Sequence, residues 1–152
     1  MLSIKKILCP TDFSEPSYEG LRVANKWAIH FSAEVILVHV VSPIQAYPAP
    51  AGAVDLNFSS YLEEMVSASQ KSLDDIVENK IPSDLKARTM VLQGNPADEI
   101  VKTAKSEKVD LIITATHGWT GWRRFIFGSV AEKVVRTASC PVLTEPAPEE
   151  EE

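Results

Sequence analysis

The chain has 152 residues, 45% of them hydrophobic and 24% charged, the size and composition of one ordinary globular domain. Its net charge is −6, with four glutamates at 149–152, and nothing in it resembles the basic footprint of a nucleic-acid binder. The longest apolar stretch, Val35 to Val41 broken only by His39, falls far short of the roughly 20 residues that span a bilayer. No signal peptide is legible at the N-terminus, so the expected compartment is the cytoplasm, with no membrane partner.

Ile4 to Cys9 is a short apolar run closed by Pro10 and predicts a strand. Ser14-Glu15-Pro16 opens a helix, with proline in the first turn where its missing N–H costs nothing. Leu21, Val23, Ala24, Trp27 and Ala28 follow at helical spacing. Ala33 to Val41 reads as a strand covered on both faces. Pro43 to Ala53, rich in proline, alanine and glycine, predicts a mobile loop. A long amphipathic helix comes next, with Leu62, Met65, Val66, Leu73, Ile76 and Val77 on its apolar stripe.

Leu85 to Leu92 alternates as a strand nearer an edge does. Asn95-Pro96 supplies a cap and a first-position proline for a helix that buries Ile100, Val101 and Ala104. Val109 to Thr114 predicts another buried strand, Ser129 to Ser139 a helix, and Pro141 to Leu143 a last short strand. Residues 1–145 thus form one α/β domain, and 146–152 read as a solvated, disordered acidic tail.

Strands alternating with helices imply an open five-stranded parallel sheet, Rossmann-like, with helices on both faces and right-handed crossovers. Strand order 3-2-1-4-5 is expected. It makes Cys9-Pro10-Thr11-Asp12 and the segment Thr114 to Ser129 neighbours at the carboxyl ends of the strands, where such sheets bind ligands.

The second of those segments carries the chemistry. Ala115-Thr116-His117-Gly118 is followed, after nine residues, by Gly128-Ser129-Val130-Ala131-Glu132. A strand, a glycine-bearing loop and a helix start make a place for a phosphate, because N–H groups there are unpaired and the helix dipole favours negative charge. Gly118, Gly121 and Gly128 permit positive φ or a close backbone approach. Ser129 reads either as the head of a capping box with Glu132 or as a hydroxyl for a phosphate oxygen.

Asp12 is a turn or cap residue, or else a carboxylate that takes an adenine amino group, a ribose hydroxyl or a magnesium ion. His117 is a phosphate donor or a plain loop residue. Arg123 and Arg124 offer charge to phosphates or solvate a turn; Trp119 and Trp122 cover a ligand or bury themselves in a partner. The common P-loop, the dinucleotide fingerprint and the nucleophile elbow are all absent. His30, His39 and His117 lack metal-ligand spacing, and Cys9 and Cys140 read as isolated reduced thiols. No nucleophile, base and orienting group assemble, so a dedicated enzyme is not predicted.

Three blocks spread over nearly the whole chain resemble the universal stress proteins. They are Ile7 to Ser14, Val35 to Val41, and Thr116-His117-Gly118 through Gly128 to Val134, ending in Cys140-Pro141-Val142-Leu143. Nucleotide-binding members of that family carry Gly-x2-Gly-x9-Gly-Ser/Thr. Gly118, Gly128 and Ser129 match that pattern, and Ala115 stands where its first glycine belongs. The resemblance implies that Pro10, Thr11, Asp12 and Val40 surround adenine and ribose. Thr114, Ala115, His117, Gly118, Gly128, Ser129 and Val130 would then line the ribose and phosphates.

It further implies a homodimer joined through the last strand, Pro141 to Thr144. With the glycine loop and Asp12 on neighbouring strand ends, the expected function is a cytoplasmic protein that binds ATP as a regulatory ligand, magnesium being one candidate for the Asp12 carboxylate. Two other functions stay open: a slow magnesium-dependent ATP hydrolase, and a nucleotide-free interaction protein in which Ala115 has closed the site.

Overall fold

The computed structural model describes residues 3–43, 56–117 and 127–146. The expected mobile loop from residue 44 onward, the segment holding Gly118, Trp119, Gly121, Trp122, Arg123 and Arg124, and the acidic tail from residue 147 lie outside them. Five strands alternate with four helices: β1 (Lys6–Pro10), α1 (Glu15–Phe31), β2 (Glu34–Val41), α2 (Leu56–Lys80), β3 (Ala87–Gln93), α3 (Pro96–Ser106), β4 (Leu111–Ala115), α4 (Ser129–Thr137) and β5 (Val142–Glu145). All strand pairs are parallel and the order is β3-β2-β1-β4-β5, as expected.

The sheet is covered on both faces because its central strands are apolar over consecutive positions, such as Ile7 to Cys9, Val35 to Val38 and Leu111 to Ile113, not only at alternate ones. Period-two alternation sends Ile7, Cys9, Val35, Leu37 and Ile113 to the face packed by Leu21, Ala24 and Ala28 of α1 and by Leu73 and Ile76 of α2. Leu8, Ile36, Val38 and Ile112 go to the other face, against Ala97, Ile100 and Ala104 of α3 and Val134 of α4. β3 lies at an edge and is only half-buried, as its weaker pattern predicts.

Helix starts follow local chemistry. The Ser14 hydroxyl accepts from Ser17 N–H at 3.3 Å, and the Asn95 side chain accepts from Asp98 N–H at 3.3 Å. At the amino end of the sheet, one Asp110 carboxylate oxygen takes the N–H groups of Lys5 and Lys6, at 2.8 and 3.0 Å. Glu34, only 9% exposed, meets Arg88 at 3.2 Å, and Arg88 also pairs with Glu107. The Arg88 guanidinium holds the Glu107 carboxyl below the usual carboxylate range.

Several boundaries differ from the sequence reading, among them those of β1, β3 and α4; β4 also runs later than expected, over Leu111–Ala115, and β5 over Val142–Glu145. β1 begins at Lys6 rather than Ile4, and β3 runs two residues later at its start, at Ala87, where it comes into register with Val35. α4 ends at Thr137, because Ala138 turns extended ahead of Pro141. Among the described residues no helix is long and apolar enough to cross a membrane.

Candidate functional site

The chain leaves β1 toward α1 on one face of the sheet and approaches α4 from β4 on the other. The two connections part, and a crevice opens between them at the strands' carboxyl ends. It holds about 330 Å³, at the small end of the range for small-molecule sites. Pro10, Thr11 and Asp12 line it from β1, Val40 from β2, Thr114, Ala115 and His117 from β4, and Gly128, Ser129 and Val130 from α4. Ten of the eleven predicted site residues therefore meet in one cavity. The eleventh, Gly118, lies outside the described residues.

Sequence reasoning missed Ser17, His39, Thr116 and Ile100, which also line the crevice. His39 did leave a signal, as the one polar residue within the apolar run Val35 to Val41.

The β1 side is a closed net of hydrogen bonds. Thr11 N–H donates to Val38 O at 2.8 Å, and Phe13 N–H donates to the Thr11 hydroxyl at 3.0 Å. Ser17 Oγ gives its proton to Ser14 O at 2.7 Å, so in its 2.8 Å contact with Ser17 the Thr11 hydroxyl is the donor. His39 Nδ1 lies 2.8 Å from Thr11 O, and a carbonyl can only accept, so Nδ1 carries the proton. Phe13 stacks on that imidazole with ring centroids 4.3 Å apart. It does so at φ 65°, a left-handed conformation that costs a bulky residue about 1–2 kcal/mol. Asp12 Oδ1 takes the Ser14 N–H at 3.0 Å and the Ser14 hydroxyl as well, so this oxygen fills the turn role.

The β4 side corrects one expectation. Ser129 does not cap α4; the cap position is Gly128, and no side chain bonds there. The capping box fails to form because Gly128 N–H is drawn to Thr116 O at 2.7 Å, which makes Ser129 the first helical residue. Gly128 has an ordinary φ of −59°. Its lack of a side chain matters through close approach, since a Cβ there would lie 3.1 Å from Thr116 O. Among the described residues, the N–H groups of Ser129, Val130 and Ala131 consequently have neither an intrahelical carbonyl nor a side-chain cap. The exposed Ser129 hydroxyl stands among them.

Ala115 ends β4 with an ordinary backbone, so no positive φ demands glycine at that position. Gly20 of α1 lies directly against it, where a Cβ would come within 3.1 Å of Ala115 N. Thr116 is held at both backbone groups, donating to Glu145 O at 2.9 Å and accepting from Gly128. Its hydroxyl lies 2.8 Å from His117 Nδ1. The His117 ring is buried, and its Nε2 has no hydrogen-bond partner.

Apolar walls formed by Pro10, Val38, Val40 and Ile100 thus face a helix start rich in free donors. Such a cavity suits a ligand with an apolar plane at one end and an anion at the other. Among the described residues no three His, Cys, Asp or Glu side chains gather to hold a metal. A larger hollow of about 610 Å³ lies at the opposite end of the sheet, beside Lys5, Lys6, Phe31 and Lys86. Its acidic wall, Glu34, is already paired with Lys86 and Arg88.

A family model for the universal stress proteins matches residues 3–144. Universal stress protein MJ0531 of Methanocaldococcus jannaschii is 40% identical over 149 residues, covering 97% of this chain and 85% of that protein. The solved structure of hypothetical protein MJ0577 superposes with a TM-score of 0.81 at 29% identity, over 99% of each chain. A universal stress protein in complex with cAMP superposes at 0.63 with 18% identity, over 94% of this chain and 97% of the other.

Proposed function

The chain belongs to the universal stress protein family, and on that premise we propose that it binds an adenine nucleotide, ATP, as a regulatory ligand in the crevice at the ends of β1, β2 and β4. The observation that carries this reading is the start of α4, whose N–H groups are uncapped among the described residues and line the same cavity as Asp12. Pro10, Thr11, Asp12 and Val40 take adenine and ribose. Thr114, Ala115, His117, Gly118, Gly128, Ser129 and Val130 take ribose and phosphates. The family structure that holds cAMP supports an adenine nucleotide as the ligand class.

The ordinary backbone at Ala115 speaks against a site closed by strain. No assembled nucleophile or metal cluster among the described residues favours hydrolysis as the primary role. The site operates in a cytoplasmic homodimer. β5 is an edge strand, and pairing it with its copy would cover its open hydrogen-bonding groups. Thr116 N–H, bonded to Glu145 O, ties that strand directly to the cavity wall, so an occupied site is felt at the dimer edge.

Two measurements test the proposal. Freshly purified protein, heat-denatured, should release an adenine nucleotide, and added ATP should raise the melting temperature. Neither effect occurring sinks the nucleotide reading. A monomer by light scattering at micromolar concentration, with or without ATP, sinks the dimer.

A further inference from the structure

His117 Nε2 is the most conspicuous unsatisfied group in the crevice. The residue is only 7% exposed, and the nitrogen finds no partner. A buried polar atom left unpaired costs about 1–3 kcal/mol, so such an atom in a cavity wall calls for a ligand group. What kind of group follows from its surroundings. The neighbouring first turn of α4 presents the N–H groups of Ser129, Val130 and Ala131 with no cap. These backbone groups donate, so the group that fits against them accepts.

For the ring to donate from Nε2, the Thr116 hydroxyl has to donate to Nδ1. The Thr116 hydroxyl lies 2.8 Å from Nδ1. When it donates to Nδ1, the neutral imidazole carries its proton on Nε2. Thr116 can hold this orientation because its own backbone is fixed on two sides, to Glu145 O at 2.9 Å and from Gly128 N–H at 2.7 Å.

We propose that His117 Nε2–H, with Thr116 as its positioning residue, makes this site select a nucleotide whose phosphate ends in free oxygens over one whose phosphate is closed into a cyclic diester. The assignment rests on the nucleotide reading above and goes beyond it to the form of the phosphate. A terminal phosphoryl group offers three acceptor oxygens and close to two charges; a cyclic diester offers two free oxygens and one charge. Four or five converging donors are matched by the first and underused by the second. Hydrogen bonds to the doubly charged group are also the stronger ones.

AMP and cAMP share one nucleoside and one phosphorus, so they isolate the feature. Calorimetric titration of the wild-type chain with adenosine, AMP and cAMP should show AMP bound more tightly than cAMP. His117→Phe should weaken AMP by about 10- to 100-fold, the range for one hydrogen bond to a charged group, and weaken adenosine by a much smaller factor. His117→Gln keeps a donor near the position of Nε2 and should restore most of the AMP affinity. It also serves as the folded control if the phenylalanine variant is unstable.

Thr116→Val should weaken AMP by a smaller factor. In nitrogen-15 spectra of the imidazole it should shift the wild-type Nε2–H form toward Nδ1–H. An AMP-to-cAMP preference that stays within twofold in His117→Phe overturns the assignment while leaving nucleotide binding intact. So does a wild-type AMP complex whose ring carries its only proton on Nδ1. A wild-type chain that binds neither adenosine nor AMP overturns the nucleotide reading itself.

Discussion

Ala115→Gly restores the residue that the family's nucleotide-binding pattern carries at this position, and the geometry predicts that the change is harmful to stability. Ala115 is 8% exposed in the last position of a fully buried strand, and its φ is not positive. Glycine therefore relieves no strain. It costs about 0.5–1 kcal/mol in backbone entropy relative to alanine. The buried methyl group that disappears was worth about 0.8 kcal/mol. Together these come to about 1.5 kcal/mol, or roughly 3–6 °C in melting temperature for a chain of this size.

Thermal and urea unfolding followed by circular dichroism would measure the loss. An unchanged or higher melting temperature refutes the claim that the backbone is relaxed there. The same variant tests the methyl against the ligand. Most of the side chain is already against protein, so AMP affinity should move by less than about threefold, well under one tenfold step of 1.4 kcal/mol. A tenfold gain would show that the methyl occupies ligand space.

Other consequences follow from the same geometry. Burial pushes the Cys9 thiol up to about 12. Because the folded value lies above the unfolded one, the associated stability is intact below about pH 8.5 and declines as pH climbs toward 12, by at most about 1.4 kcal/mol per unit. The stability difference between wild type and Cys9→Ala in urea should therefore shrink between pH 8 and pH 10; a constant difference defeats the argument. Arg88 lowers the Glu107 carboxyl through their hydrogen bond, so that contribution is present above the unfolded carboxylate range and vanishes as pH falls through the folded value. The melting-temperature advantage of wild type over Arg88→Gln should thus be larger at pH 7 than at pH 3.5, and the reverse order would contradict the pairing. Ser14→Ala removes the α1 cap and a donor to Asp12, and should cost about 1 kcal/mol in urea unfolding.

The sheet was legible because each strand is short, apolar and bracketed by a helix signal, and alternation of that kind leaves few topologies. β2 was the plainest, since a strand buried on both faces has no polar residue to blur it; His39, the exception, proved to face the crevice. Ser129 misled for the opposite reason. Ser-Val-Ala-Glu satisfies a local capping rule, but the cap position is decided by Thr116 O, 12 residues earlier in the chain and visible only once β4 and α4 are packed. The Thr11–His39 bond spans 28 residues and Thr11–Ser17 joins a strand end to a helix, so neither leaves a pattern in any short window. Ala115 stood out as a departure from the motif, yet its meaning depended on a dihedral angle that composition does not encode.

β1 is the middle strand of the sheet and the first to be synthesised, while its partner β4 begins at Leu111 and the Asp110 carboxylate that clasps Lys5 and Lys6 comes just before it. At about 5–20 residues per second, a ribosome needs roughly 5–20 s to deliver the second partner after the first strand. During that time β1 can pair with β2 alone and keeps a raw apolar edge. The crevice is split along the same line, with one wall before residue 41 and the rest supplied by Pro96 and Ile100 and by residues after 113. A half-made chain thus lacks this crevice, which is complete only once the α4 segment has left the ribosome and docked.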